Sequence, residues 1–583
     1  MSNVYPSWWT EAPADDAGDA IIAAMARGGI EYLFFTSGSE IGFYQEAISK
    51  AHALGRPAPK LITVNHEHAG LNAALGYAAV SGKPAATAVH VDTGTLHNGG
   101  GIHTAMQACL PVLLTAGFPP TSYPGSSPAG RNSGAHLWLQ QSFDQHAIVR
   151  QYMKWDHRLQ LSDNPALMVS RAIQVASSAP SGPVYMSIPP EVSMQKVAGA
   201  KFPDLAQLGV GREPAPDAAG AKEIAERLLR AQNPVVIVSG SGRIPETVPA
   251  LVELAELLGL SVVHAPQRGY LCFPMDHPLL VGTMDLSKAD AILSLQNEIP
   301  WLPGPGEPGA NSWIATVGLD SATSKIPTLE FQSNLRMTGG SLNTIRAIAE
   351  AARGMISAAD KSRIAERTQR IGKETSAKRE AFFKAAQAKS ASNPIDPSWL
   401  GYQIGQLVDD SAIIIDDTLP HNRLQEYLHC NRPGSYFFNP GSSGGWAAGA
   451  ALGAKLAAPK RDVVAVSGDG FYMFSNAAPA LWTAAHHGAP YLMIVYQNRS
   501  YITGTARIQK MYPEGYAQKS DFPGGYFDPP MDFAKEAEGA GAYGENVRDP
   551  ADLAAALRRG LEQVRKGKPA VISVWLPRLL HKD

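Results

Sequence analysis

The segment at 462–504 contains residues whose types and spacing suggest a metal and phosphate site. A β-rich strand runs into Gly468-Asp469-Gly470, a helix of about four turns is predicted to follow, and a second apolar strand ends at Asn498. Because parallel strands end at one edge of a sheet, Asp469 and Asn498 are expected to lie close together. Carboxylate, amide and carbonyl oxygens suit Mg²⁺, and glycines at a helix N-terminus suit phosphate. A GDG turn alone is common, but the whole pattern predicts a magnesium diphosphate site.

Glu67 is the second residue whose placement suggests chemistry. It lies between a short strand and a predicted helix over 69–82, in the run VNHEHAGLNAALGYAAVSG. By itself this placement also fits a carboxylate that stabilises the helix dipole. His66 and His68 flank it, but residues two apart do not share a helix face. That spacing argues against a metal site and favours packing or surface roles for both histidines.

These residues need a scaffold of parallel strands, and the chain shows alternating strand and helix patterns in three blocks. The predicted fold class is therefore α/β, with three doubly wound parallel-sheet domains. The blocks are similar in size, which suggests an old triplication. The stretch at 201–220, rich in Pro and Gly, is interpreted as a connector. The predicted divisions are an N-terminal domain at 1–197, a central domain at 215–358, a solvated charged linker helix at 359–395 and a C-terminal domain at 396–583.

Composition excludes several classes of partner. The 583 residues exceed one hydrophobic core, and 50 Lys and Arg against 52 Asp and Glu leave a net charge of −2. Without a basic patch, we expect neither nucleic acid nor a membrane surface as a partner. The three cysteines lack CxxC spacing, which argues against a zinc ribbon or a disulfide scaffold. With no signal-peptide pattern and no long apolar run, a cytoplasmic location is expected.

The pattern around Asp469 and Asn498 resembles the thiamine-diphosphate enzymes of the acetolactate synthase, pyruvate oxidase and benzoylformate decarboxylase superfamily, and the resemblance extends over nearly the whole chain. It implies that Asp469, Asn498 and the backbone carbonyl of Ser500 bind Mg²⁺. It also implies a pyrimidine-binding domain, a central nucleotide-fold-like domain and a diphosphate-binding domain, in that order. Glu67 then becomes the catalytic carboxylate, which bonds N1′ of the aminopyrimidine so that this ring can remove the C2 proton of the thiazolium.

The run AVHVDTGTLHNGGG is most similar to the benzoylformate decarboxylase branch of this superfamily. The similarity implies that Ser39 and His90 contact a substrate carboxylate or hydroxyl and that His90 transfers protons, the alternative being a buried structural histidine. His97 and His103 are expected to be structural. The second proton-relay histidine of that branch has no match, and Trp301 stands in the corresponding segment.

The resemblance assigns further residues to the cofactor. His421 and Asn422 would hold the diphosphate, and the Ser442 carbonyl would meet the 4′-amino group. The side chain that braces the cofactor in a folded, V-shaped conformation is normally Met, Leu or Ile, but the aligned position is Gly444. Either Trp446 supplies the apolar wedge or the register of the loop is shifted. The remaining expected cofactor contacts are Gly468, Gly470, Phe471 and Tyr501.

The function implied is cleavage or formation of a C–C bond next to a carbonyl, by decarboxylation of a 2-oxo acid with carboligation. Alternatives are a 2-hydroxyacyl-CoA lyase, a cyclic-diketone hydrolase and, from another class, a non-catalytic or flavin-dominated homologue. Thiamine diphosphate and Mg²⁺ are the expected cofactors; FAD, which some members carry, is left open but not expected.

The expected partners are a small 2-oxo acid, aldehyde or acyl-CoA substrate and further copies of the chain. A homodimer is the minimum active unit and a homotetramer is expected. The insertion at 118–138 is expected either to gate the pocket or to cover the interface. Its Arg131 either meets an acidic substrate or is a solvated loop residue.

Overall fold

The computed structural model of the protein describes residues 5–123, 134–266, 269–328, 331–419 and 422–578. Within these ranges lie three six-stranded sheets whose strands are all parallel, and helices connect the strands. This confirms the predicted α/β class with three doubly wound domains. None of the helices in the described ranges is long and apolar enough to cross a membrane.

The sheet of the first domain has the order β3-β2-β4-β5-β7-β6 and separates two apolar cores. Successive residues of a strand face opposite sides, so Phe34 enters one core while Leu33 and Phe35 enter the other. The strands are β1 (Thr10–Ala12), β2 (Tyr32–Phe35), β3 (Lys60–Thr63), β4 (Ala85–Val89), β5 (Val112–Gly117), β6 (Trp155–Arg158), β7 (Val184–Ile188) and β8 (Ala200–Phe202). The helices are α1 (Ala17–Arg27), α2 (Phe43–Ala53), α3 (Glu67–Ser81), α4 (Asp92–His97), α5 (Gly101–Ala108), α6 (His136–Leu139), α7 (Pro165–Ser177), α8 (Pro190–Ser193) and α9 (Leu205–Leu208).

The predicted connector at 201–220 begins within a strand. β8 pairs antiparallel with β1 and forms a separate two-stranded sheet. Ala200 and Phe202 are buried in the core while Lys201 between them is exposed, and this alternation favours a strand. The start of the stretch therefore belongs to the first domain.

The central sheet has the order β11-β10-β9-β12-β13-β14. In chain order this is 3-2-1-4-5-6, the order of dinucleotide-binding folds. Its strands are β9 (Pro234–Val238), β10 (Ser261–His264), β11 (Leu280–Gly282), β12 (Ala291–Leu295), β13 (Trp313–Gly318) and β14 (Leu335–Thr338). The helices are α10 (Ala218–Arg230), α11 (Thr247–Leu258) and α12 (Ser341–Arg353).

The charged run forms helix α13 (Ala358–Gln387), as predicted. It is not purely a solvated connector, because two of its arginines are used as anchors. Arg367 is buried and donates to the Ala231 carbonyl oxygen at 2.7 Å, and Arg379 donates to the Met275 carbonyl oxygen at 2.6 Å. Such charge-assisted bonds attach the helix to the central domain.

The third sheet has the order β16-β15-β17-β18-β20-β19. The predicted four-turn helix after Gly468 is two helices, because Asn476 has a φ of 50° and interrupts it. The strands are β15 (Ile413–Asp417), β16 (Tyr436–Phe438), β17 (Val463–Gly468), β18 (Leu492–Gln497), β19 (Tyr543–Val547) and β20 (Ala570–Trp575). The helices are α14 (Pro397–Leu407), α15 (Ala447–Ala457), α16 (Asp469–Phe474), α17 (Ala477–His486), α18 (Ile502–Met511), α19 (Tyr516–Lys519), α20 (Phe533–Gly539) and α21 (Leu553–Arg565).

The first and third sheets share one strand order, which the central sheet does not share. Counted from β2 and from β15, both orders are 2-1-3-4-6-5. The strand orders therefore relate the outer two domains to each other, and the different order of the central sheet does not support the suggested triplication. The domain boundaries themselves stay predictions.

Helices α3 and α15 join the first domain to the third and share one apolar core. Glycines allow the two backbones to touch. A Cβ on Gly449 would lie 2.6 Å from the Ala69 carbonyl oxygen, and one on Gly453 would overlap the carbonyl oxygen of Ala73. Since backbone atoms cannot move aside as a flexible side chain can, only glycine fits at these positions.

Gly453→Ala is expected to lower the free energy of unfolding by about 1–3 kcal/mol, because the added methyl group forces the two helices apart. Thermal and urea unfolding measure the change. The control is Gly539→Ala, where a Cβ would meet no atom within 4 Å. Equal stability of the two variants would contradict the tight packing of α3 on α15.

Candidate active site

Two acidic residues end neighbouring strands of the third sheet. Asp417 is the last residue of β15, and Asp469 follows directly on β17, which pairs with β15. The strand order reverses between these two strands, and ligands of open α/β sheets bind at such a point. A ligand is therefore expected to bind at this edge of the sheet.

The structure brings the three predicted metal ligands together. The Asp469 carboxylate accepts hydrogen bonds from the backbone N–H groups of Gly470 and Arg499. Asn498 Oδ1 accepts from the Ser500 backbone N–H at 2.9 Å and from the Ser500 hydroxyl at 2.8 Å. Asp469, Asn498 and Ser500 thus line one cavity at this strand end. Carboxylate, amide and carbonyl oxygens are a donor set that fits Mg²⁺.

A cavity of roughly 580 Å³ opens beside these oxygens. Its described lining comes from the third domain and the segment that leads into it, and none of it belongs to the first domain. A Cβ on Gly468 would meet no atom within 4 Å, so this part of the edge faces open space. Among the predicted cofactor residues, the lining includes Asn422, Gly468, Asp469, Gly470, Phe471, Asn498, Ser500 and Tyr501. His421 lies outside the described residues.

Both carboxylates at this edge are buried. Burial raises the pKa of Asp469 to about 7, although backbone donors oppose the shift. Burial likewise raises the pKa of Asp417 to about 6. A divalent cation beside Asp469 would stabilise its charged form, so the electrostatics also fit the metal.

Asp417 is a functional candidate that the sequence reasoning missed. Its Oδ2 accepts from the backbone N–H groups of Gly445, Trp446 and Ala447, and its Oδ1 accepts from the Asn439 side chain at 2.7 Å. These bonds hold the start of α15 and the loop before it. The available signal was the acidic pair at the end of the strand IIIDD.

The loop before α15 departs in part from expectation. Ser442 is exposed and has a φ of 57°. The indole of Trp446 lies in the core rather than at the cavity wall. Gly444 packs against the ring of Phe471.

Glu67 is the first residue of α3 and is buried. Its Oε2 lies 3.2 Å from Nδ1 of His97, so His97 contacts the predicted catalytic carboxylate although a structural role was expected. His66 caps the helix, as the packing interpretation allows. His68 is buried with its ring 3.2 Å from the Gly445 carbonyl oxygen, and His103 Nε2 lies 2.9 Å from the Gly441 carbonyl oxygen. These contacts attach the Glu67 region to the loop of the third domain.

The two predicted pocket residues Ser39 and His90 meet around Glu40, which the sequence reasoning missed. Glu40 is buried; its Oε2 lies 2.5 Å from Nδ1 of His90, and its Oε1 accepts from the Ser39 hydroxyl at 3.0 Å. Hydrogen bonding to Glu40 raises the pKa of His90 despite partial burial. The pair lies where the strand order of the first sheet reverses, between β2 and β4. It therefore occupies the place that Asp417 and Asp469 hold in the third sheet.

The end of the predicted insertion and the residues just after it lie against Ser39 and His90. His136 Nε2 lies 3.3 Å from the Ser39 hydroxyl, and His90 Nε2 lies 3.0 Å from Gln140 Oε1. Arg131 falls outside the described residues. Trp301 is buried in a core of the central domain against Phe331, so it fills space there.

Models of the N-terminal, central and C-terminal domains of thiamine pyrophosphate enzymes match residues 15–148, 221–298 and 420–574. The chain belongs to the thiamine pyrophosphate enzyme family. It is 27% identical to a benzoylformate decarboxylase of Pseudomonas aeruginosa, covering 87% of this chain and 90% of the relative.

Two further similarities support the family. An acetolactate synthase of Bacillus subtilis is 25% identical over 93% of this chain and 90% of its own length. The crystal structure of a benzoylformate decarboxylase from Polynucleobacter necessarius superposes with a TM-score of 0.78 at 18% identity, covering 97% of this chain and 99% of that chain. At that identity the superposition shows the fold.

Glu40→Gln is expected to lower the pKa of His90 toward its ordinary value of 6.5, because the negative partner is lost. NMR titration of the imidazole measures this pKa. The ion pair stabilises the fold where Glu40 is charged and His90 is protonated. The difference in unfolding free energy should therefore be largest between pH 4.5 and 6.5, and it should shrink as the pH rises through the raised pKa of His90.

The control for this titration is Glu46→Gln, which changes an exposed glutamate on α2. An unchanged His90 pKa in the Glu40 variant would contradict the ion pair.

Proposed function

We propose that this protein is a thiamine-diphosphate- and Mg²⁺-dependent enzyme that decarboxylates a 2-oxo acid and can ligate the product to a second carbonyl compound. When bound, thiamine diphosphate supplies a carbon nucleophile that adds to a carbonyl and accepts the electrons of the broken C–C bond. The observation that carries the substrate class is the ion pair of the buried Glu40 with the partly buried His90. A histidine whose protonated form is favoured by a neighbouring carboxylate suits the carboxylate of a 2-oxo acid.

The residues of the chain have distinct tasks in this proposal. Asp469, Asn498 and the Ser500 carbonyl would hold Mg²⁺, which would supply positive charge for the diphosphate. Glu67 holds a proton at N1′ of the aminopyrimidine. His90 binds the substrate carboxylate and returns a proton to the product. The relatives named benzoylformate decarboxylase and acetolactate synthase support decarboxylation and ligation respectively.

A homodimer is part of the proposal, because Glu67 does not line the cavity beside Asp469 within one chain. Glu67 is in the first domain, whereas the described lining of the Asp469 cavity comes from the C-terminal part of the chain. A second copy that presents its Glu67 to this cavity would complete the site.

Asp469→Ala is expected to abolish Mg²⁺-dependent binding of thiamine diphosphate, because the only carboxylate of the proposed metal set is lost. Isothermal titration with thiamine diphosphate and Mg²⁺ measures the affinity. Asp462→Ala, at the opposite end of β17 and paired with Arg565, is the control. Unchanged affinity in the Asp469 variant would show that the metal site is wrong.

Glu67→Gln is expected to reduce turnover roughly 100-fold or more while thiamine diphosphate still binds, because the amide cannot hold the proton at N1′. Release of CO₂ from a panel of 2-oxo acids, with 2-hydroxyacyl thioesters as the competing class, measures turnover. Cleavage of the thioesters alone would overturn the 2-oxo acid proposal in favour of a lyase.

Hybrid dimers of the Glu67→Gln and Asp469→Ala chains test the shared site. If each site takes Glu67 from one chain and Asp469 from the other, one site of every hybrid is intact. Random mixing then restores roughly a quarter of wild-type activity. If both residues come from the same chain, every site carries a defect and no activity returns.

A further inference from the structure

A side chain at Gly444 would collide with an aromatic ring, whereas the backbone conformation of this residue does not require glycine. A Cβ at this position would lie 2.6 Å from Cε1 and 2.7 Å from Cγ of Phe471, and closer still to Cδ1. Gly445, the next residue, has a φ of 102° that favours glycine, but Gly444 is not among the residues with positive φ. The space beside Gly444 is therefore already filled by Phe471.

Phe471 reaches this space from a different element. It lies in the first turn of α16, two residues after Asp469, and its half-buried side chain lines the cavity. One ring thus contacts the loop at Gly444 and faces the space beside the proposed metal ligands. A side chain at 444 and an aromatic ring at 471 are alternative ways to fill one volume.

Filling this volume matters for the proposed chemistry. The aminopyrimidine can act on C2 of the thiazolium only when the two rings are folded together, and an unsupported cofactor rotates freely about its bridge. We propose that Phe471 is the positioning residue that holds thiamine diphosphate in its folded conformation, in place of a bulky side chain at Gly444. This inference rests on the proposed function.

The experiment exchanges the two residues. Phe471→Ala is expected to keep the affinity for thiamine diphosphate and Mg²⁺ within about tenfold while C2 proton exchange of the bound cofactor falls roughly 100-fold, since a misplaced reacting group costs about that much. Calorimetry measures the affinity, and NMR after acid quenching measures the exchange. The double variant Gly444→Leu with Phe471→Ala refills the volume from the other side and should restore exchange to within about tenfold of wild type.

The control is Phe474→Ala, on the same helix, whose ring is 51% exposed and stacks on Tyr501. It should leave exchange unchanged. Phe471→Leu, which retains apolar bulk, should keep most of the exchange and serves as the second variant if Phe471→Ala unfolds. Circular dichroism of the bound cofactor gives an independent reading of its tautomer, which a merely structural role of Phe471 would not alter.

The outcomes separate this inference from the proposed function. The role of Phe471 is overturned if Phe471→Ala exchanges the C2 proton at the wild-type rate, or if the double variant folds but its exchange remains slow. Either result leaves the proposed function intact. A wild-type protein that does not bind thiamine diphosphate with Mg²⁺ overturns both.

Discussion

The packing of α3 against α15 is the contact on which the rest of the site depends. Glycines at 449 and 453 bring the two backbones together, so the start of each helix has a defined position. Glu67 begins α3, and the loop that leads into α15 includes Gly444 and is held by Asp417. A loss of contact between these helices would therefore displace the carboxylate of one domain and the cofactor loop of another together.

The first and third domains stabilise their buried carboxylates in different ways. Both place a pair of titratable side chains where the strand order reverses, and Glu40, Asp417 and Asp469 are buried there. In the first domain the negative charge of Glu40 is matched by His90 at 2.5 Å. In the third domain Asp417 and Asp469 are stabilised by backbone N–H groups, and the raised pKa values of both show that these donors do not fully offset burial. Under the proposed function, Mg²⁺ supplies the remaining positive charge at Asp469.

Much of the site could be predicted because it depends on local spacing. The strand ends at Asp469 and Asn498 follow from one strand–helix–strand unit, and the helix that begins at Glu67 follows from its pattern of small and apolar residues. Glu40 could not be predicted, since its partner His90 follows a strand some fifty residues later in the chain and a buried glutamate looks in sequence like an exposed one. The same holds for His97, whose contact with Glu67 depends on how α4 packs near α3.

The sequence by itself determined the α/β class, the three sheets and the residues that can supply oxygen ligands to a metal, because strand periodicity and motif spacing act over a few residues to a few tens of residues. Only the tertiary structure decided which charges are paired, which helix caps are used and which side chain fills the space beside Gly444. Those outcomes depend on distances between residues far apart in the chain. An unpaired charge or a cavity in the protein interior lowers stability. The packing of whole helices and strands determines which side chain pairs with that charge or fills that cavity.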